Sequence, residues 1–265
     1  MRPRTAATTE RSSWFWRFDA LRPARQRVVC FPHAGGSAGY YRAWLDHVAA
    51  DTELLLVQYP GRQERFRERA ATEVIDFGRA VAADLALRPP LPTVLFGHSM
   101  GASVAFETAG RMPLCGSAAD LLIVSAAQAP TRRRDLAVDE LDDATLLARM
   151  SGLPESDRRL LESSEVGGVF MSVLRRDLRA LARYRPGDVE PIAADIVCFA
   201  GTADPDFDIA DADAWRSHTA GAVRTREFDG GHFYWPEQTA AVVGAVEQSL
   251  REIVSAPIRG ENRAE

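Results

Sequence analysis

A strand-like run that leads straight into a glycine-flanked serine constrains this chain more than any other feature. Thr93-Val94-Leu95-Phe96 is followed at once by Gly97-His98-Ser99-Met100-Gly101, and then by a helix-forming stretch, Ala102–Arg111. The spacing G-x-S-x-G in this context calls for a tight, strained strand-to-helix turn. The two glycines let backbone and helix approach closely, and the serine Oγ is thrust out above a sheet. The helix N-terminus then offers a free N–H and a positive dipole end to negative charge developing beside that hydroxyl.

The rest of the chain supplies the sheet. Short apolar runs at Arg27–Phe31, Glu53–Tyr59, Thr93–Phe96, Leu121–Ser125, Ile196–Ala200 and Val223–Phe228 read as strands. Their near-continuous apolar cores, such as Leu121-Leu122-Ile123-Val124, suit strands buried on both faces of a parallel sheet. Amphipathic stretches at Gly39–Ala49, Thr72–Leu87, Ala102–Arg111, Asp208–His218 and Pro236–Val254 alternate with them as helices, Pro236 fitting the first turn of the last. Alternation of this kind predicts a mostly parallel central sheet flanked by helices. From about Arg132 to Tyr184 the alternation stops. Leu141, Leu146-Leu147 and Met150 form one helical pattern, and Val169, Val173-Leu174, Leu178 and Leu181 another. Two helices without a strand are more than an ordinary crossover needs, so the segment reads as an inserted helical cap. The polar stretches 1–13 and 257–265 are expected to be flexible tails around one domain, 14–256.

Charge and composition exclude several classes. With 46% hydrophobic and 26% charged residues the chain can fill a sizeable core. A net charge of −5 gives no basic footprint for nucleic acid. No apolar run approaches the ~20 residues of a membrane span. All 32 basic residues are arginine, so lysine Schiff-base chemistry, a P-loop lysine and a Ser-Lys dyad are excluded. Cys30, Cys115 and Cys198 are too few and too far apart for a disulfide framework or a zinc site, and Cys30 and Cys198 read as buried thiols. The arginine-containing N-terminus lacks the apolar stretch of a signal peptide, and a reducing cytoplasm is the expected compartment.

A serine hydroxyl needs a base, and the base needs an orienter. Among five histidines, His47 and His218 fall in helices and are expected at the surface, and His98 should point into the fold. His232 follows Gly230-Gly231 after the last strand, in a loop where an α/β sheet presents catalytic groups. The order Ser…Asp…His favours Asp204, in the turn beyond Ile196–Ala200. Asp206 and Asp208 are rivals, and Asp229 reads as a turn residue. The loop Pro32-His33-Ala34-Gly35-Gly36-Ser37 after the first strand is placed to give a second oxyanion donor. The donors expected are the backbone N–H groups of Ala34 and Met100.

With these residues named, the sequence resembles the type II (external) thioesterases of the α/β-hydrolase superfamily, which accompany modular polyketide synthases and nonribosomal peptide synthetases. The resemblance runs from Trp14-Phe15 to about Val254. It rests on Phe31-Pro32-His33-Ala34-Gly35-Gly36-Ser37, Tyr59-Pro60-Gly61-Arg62, Gly97-His98-Ser99-Met100-Gly101, Gly201-Thr202-Ala203-Asp204-Pro205 and Gly231-His232-Phe233. It implies an α/β-hydrolase fold with a helical lid at about 132–184. It implies hydrolysis of acyl groups from the phosphopantetheine thiol of an acyl or peptidyl carrier protein, in an editing role and without metal or organic cofactor. Thr202 stands where the family commonly has a second glycine; within the cap, Ser151–Gly168 looks less like the family than its flanks do, and since the cap should shape the acyl chamber, substrate preference is left open. A carboxylesterase or lipase would use the same triad, and a silent carrier-docking module the same fold. Two arginine groups, Arg132-Arg133-Arg134 and Arg62, Arg65, Arg67 and Arg69, read as solvated side chains partnered by Glu64 and Glu68, the alternative being a dock for an acidic carrier.

Overall fold

A computed structural model describes residues 14–18, 22–68, 71–132, 137–149, 152, 164–186 and 189–255. Both expected tails, Arg69, Arg133, Arg134 and most of Ser151–Ser163 lie outside these residues.

Seven strands form one sheet: β1 (Phe15–Phe18), β2 (Gln26–Phe31), β3 (Thr52–Val57), β4 (Thr93–His98), β5 (Leu121–Ser125), β6 (Asp195–Gly201) and β7 (Val223–Phe228). Their spatial order is β1-β3-β2-β4-β5-β6-β7. All neighbours are parallel except β1, which runs antiparallel to β3 with Phe15 opposite Val57. Among the described residues the α-helices are α1 (Val74–Leu85), α2 (Met100–Arg111), α3 (Asp143–Arg149), α4 (Ser164–Arg183) and α5 (Thr239–Ser255).

The apolar runs are continuous because both sheet faces are covered. Val29, Phe31, Leu55, Val57, Leu95, Leu122, Val124, Ile196 and Cys198 pack in one core with α1 and α2. Their alternating neighbours Val28, Cys30, Leu54, Leu56, Val94, Phe96, Ile123, Val197 and Phe199 pack in another with Trp44, Trp235 and α5. Side chains of successive strand residues point to opposite faces, so each run feeds two cores at once. α2 lies deepest: Met100 through Ala109 are all buried.

Six strands fall where the apolar runs put them; β1 does not announce itself. A four-residue edge strand with only Phe15 and Phe18 buried is too short to show a period. Two expected helices are 3₁₀ in form, at Ala38–Asp46 and Ile209–His218. In the first, Tyr41 and Trp44 lie three residues apart with ring centroids at 5.3 Å, and both bear on Trp235. Eclipsing of side chains at i and i+3 is a property of the tighter helix. Between β5 and β6 the described residues contain α3 and α4 and no strand.

Candidate active site

The elbow at Ser99 has the strained geometry its spacing demands. Ser99 sits at φ 54°, ψ −118°, a region L-residues rarely occupy. Its N–H donates to the Ser125 carbonyl at 2.8 Å, and its own carbonyl accepts from Ala102 N–H at 3.0 Å. The flanking glycines are there for contact. A Cβ on Gly97 would stand 2.5 Å from Ala102 N and Cα, and one on Gly101 would stand 2.7 Å from the Pro32 oxygen. Strand, helix and the loop after β2 therefore meet without side chains between them. Met100 opens α2, so its N–H has no partner within the helix. The Ala34 loop abuts the same turn.

Asp204 and His232 come from the turns after β6 and β7, and their backbones interleave. Thr202 N–H donates to Phe228 O at 2.9 Å and Ala203 N–H to Gly230 O at 2.8 Å. This stitching brings His232 Nδ1 to 2.9 Å from Asp204 Oδ2 and 3.2 Å from Oδ1. The Asp204 side chain is fully shielded and that of His232 is 15% exposed. The rival aspartates are used otherwise. Asp206 donates its N–H to Asp204 Oδ1, Asp208 caps the 3₁₀ stretch through Ala210 N–H, and Asp229 is exposed with its carbonyl accepting from Gln238. Thr202 is exposed and takes no positive φ, so the missing glycine costs the turn nothing.

The His232 imidazole stands 5.2 Å from that of His98, the residue before Ser99. His33, in the Ala34 loop, lies 6.2 Å from His98 and 5.0 Å from Phe233. Burial, then repulsion from His232, pushes His33 down to about 3 and His98 well below the usual imidazole range. Both stay neutral beside His232, so a proton arriving there meets no neighbouring positive imidazole. His98 Nδ1 is 2.9 Å from Ser125 Oγ, which is 2.7 Å from the Tyr234 hydroxyl. That buried chain fixes the residue next to Ser99 and uses its side chain inward, as expected.

The model of the Thioesterase domain matches residues 26–250. The chain belongs to the thioesterase family. It is therefore a hydrolase that acts on thioesters. This thioesterase is 34% identical over 255 residues to a probable cadicidin biosynthesis thioesterase of Streptomyces griseus, covering 96% of this chain and 71% of that one. It is 34% identical to the thioesterase PikA5 of Streptomyces venezuelae, covering 92% and 88%. Among solved structures, the type II thioesterase BorB from the borrelidin biosynthetic cluster superposes with a TM-score of 0.80 at 34% identity, covering 92% of this chain and 100% of that one. RedJ, a thioesterase of the prodiginine pathway in Streptomyces coelicolor, gives 0.77 at 29% identity, covering 93% and 91%. The sheet with its flanking helices is the α/β-hydrolase fold.

Three expectations about side chains are corrected. His218 is buried, not at the surface, between Phe106 and Trp215, with Thr131 Oγ1 at 3.3 Å from its Nε2. Arg62 and Arg65 are buried too, and neither is solvated. Arg65 keeps its local partner, pairing Glu68 at 2.6 Å, but its guanidinium also covers Trp14 and donates to Gln58 O. Arg62 pairs with Asp177 of α4 at 2.9 Å. Asp177 gave no signal in the sequence, because it lies among ordinary charged positions of a helix. Among the described residues one trio, Asp204, Asp206 and His232, brings possible metal-ligand atoms within 4.8 Å of one another. Both Asp204 oxygens are already engaged, Oδ2 by His232 Nδ1 and Oδ1 by the backbone N–H of Asp206.

Proposed function

We propose that Ser99 attacks the thioester carbonyl while His232 takes its proton, and that Asp204 holds the imidazole tautomer and stabilises the imidazolium. The N–H groups of Ala34 and Met100 receive the oxyanion. The imidazolium returns that proton to the departing sulfur as the tetrahedral intermediate collapses; a thiol leaves readily at its modest pKa, so forming the acyl-serine is not the demanding step. Water deprotonated by His232 then releases the acid. These steps are proton and acyl transfers only, with no call on a metal or organic cofactor. The observation that carries the reading is the Asp204–His232 pair at 2.9 Å, set beside the strained elbow at the C-terminal edge of the sheet.

The substrate proposed is an acyl group on the phosphopantetheine thiol of an acyl or peptidyl carrier protein, in an editing role within a polyketide or nonribosomal peptide synthase. Relatives named for cadicidin biosynthesis and the borrelidin cluster support it. So do two close approaches to the site from residues between β5 and β6, which fit a lid there. A Cβ on Gly152 would meet Phe233, next to His232, at 3.1 Å, and one on Gly35, next to Ala34, would meet Phe170 at 3.0 Å. No helix among the described residues is long and apolar enough to cross a membrane, and the cytoplasm is the proposed compartment.

The test compares kcat/KM on carrier-bound acyl thioesters of graded chain length and α-branching with p-nitrophenyl and glyceryl esters. Preference for carrier thioesters is expected; preference for the free oxoesters would make this a carboxylesterase. In the Ser99→Ala variant the acyl adduct seen by intact mass should vanish, and its survival would overturn the nucleophile.

A further inference from the structure

The loop that carries Ala34 is held from outside the sheet by a residue 142 positions away in sequence: Gly35 N–H donates to Asp177 Oδ2 at 2.8 Å. Arg62 completes the arrangement. Its Nη2 lies 3.0 Å from Asp177 Oδ1 and 2.9 Å from Oδ2, while Nη1 donates to the Gly36 carbonyl at 2.6 Å. Its guanidinium also covers the Tyr59 ring at 4.9 Å, and Tyr59 OH donates to the Pro32 carbonyl at 3.3 Å. Peptide groups on both sides of Ala34 are thereby tied to groups outside the loop. On α4, Phe170, Leu174 and Asp177 follow one another at spacings of four and three, so they share a helix face. All three meet Gly35, the first two at 3.0 and 3.4 Å from where a Cβ would be.

Asp177 and Arg62 are 1% and 5% exposed. Arg176 Nε, 3.9 Å from Asp177 Oδ1, adds a second cation to the same carboxylate. Removing one member of a buried pair leaves an uncompensated charge, which is strongly unfavourable. The loop and α4 therefore keep their contacts together or lose them together. Nothing in the chemistry at Ser99 needs a charge here, and the hydrogen bonds of both groups are with the loop backbone and each other.

We propose that Arg62 and Asp177 are positioning residues that lock the oxyanion loop to α4, so that the Ala34 donor is in place only while α4 is seated. Seating of α4 against the loop and completion of the oxyanion hole are then one event. This rests on the assignment of Ser99 and Ala34 above.

The test uses the full chain with Arg62→Lys, Asp177→Asn and the apolar pair Arg62→Met/Asp177→Leu, which removes the two nearly fully buried charges together and leaves Arg176, 29% exposed, in reach of water. Active sites are counted by end-point labelling with a fluorophosphonate. Then kcat and KM per labelled site are measured on a p-nitrophenyl ester, together with the affinity of a trifluoromethyl ketone that forms an oxyanion on Ser99. Expected for the apolar pair is full end-point labelling, KM within about threefold, kcat lower by roughly 10- to 100-fold, and inhibitor affinity lower by the same factor. Wild-type kcat and inhibitor affinity in that variant overturn the lock. If the apolar pair or Asp177→Asn does not fold, Arg62→Lys decides. It keeps the charge but loses the forked contact to Gly36 and Asp177. Reduced kcat at an unchanged melting temperature supports the proposal, and unchanged kcat overturns it. Ser99→Ala that still labels at the site would overturn the site assignment and the lock with it, whereas labelling lost in Ser99→Ala alongside unchanged lock variants sinks the lock alone.

Discussion

Replacing Gly101 with alanine would put a methyl group where the first turn of α2 meets the end of β2. The new Cβ would stand 2.7 Å from the Pro32 oxygen and the Phe31 carbonyl carbon, and closer still to the Phe31 oxygen. Real Cβ atoms essentially never come within 3.0 Å of such neighbours, and all three are backbone, so no side chain can swing aside. The helix must back away from the loop by about 1 Å, and the proposed donors, Met100 N–H and Ala34 N–H, lie on opposite sides of that contact. A displacement of about 1 Å at a site of this kind can cost about 10²-fold in rate, or ~2.7 kcal/mol of transition-state stabilisation. Helix propensity acts in the opposite direction, favouring alanine by up to ~1 kcal/mol, but less than that so near a helix end. Overpacking costs typically ~1–3 kcal/mol, so the net change in stability should be unfavourable. The assay is kcat/KM on a short acyl thioester alongside the urea midpoint, with Gly244→Ala as control. Gly244 is an exposed position of α5 where a Cβ meets nothing among the described residues, and alanine there should stabilise. A Gly101→Ala protein with kcat/KM within threefold of the parent and an unchanged midpoint would refute the contact argument.

Asp204→Asn should fold normally yet lose on the order of 10⁴-fold in kcat, because the amide favours the wrong imidazole tautomer; a loss below tenfold would remove Asp204 from the role. Stability should fall as pH drops below about 6.5, by about 1 kcal/mol per pH unit for each of His33 and His98. Burial holds both neutral in the fold while the unfolded chain takes up protons, so the loss begins at the unfolded value and extends toward about 3 for His33. Urea melts at pH 7.5 and 5.5 check this, and equal midpoints would contradict it. A disulfide reagent should find one fast thiol, Cys115, and reach Cys30 and Cys198 only on unfolding, since burial pushes Cys198 up to about 12 and Cys30 well above its ordinary value. Three fast thiols would refute the burial.

Local pattern carried much of the architecture. Apolar runs with both faces buried marked six strands, and the glycine spacing around Ser99 marked the elbow, because each arises from residues adjacent in the chain. β1 escaped through its shortness. The 3₁₀ form of Ala38–Asp46 escaped because it depends on how Tyr41 and Trp44 meet Trp235, nearly two hundred positions on. Charge patterning misled most: Arg62 and Arg65 look solvated beside Glu64 and Glu68, yet both are buried.

What the amino-acid order determined alone was therefore the alternation of strand and helix, the serine on its strained turn, and a short list of partners for it. Which aspartate meets His232, and that Asp177 grips the loop bearing Ala34, were settled only by tertiary packing. Local sequence dictates backbone conformation through sterics and burial period, whereas a hydrogen bond between groups 28 or 142 residues apart depends on where whole elements come to rest.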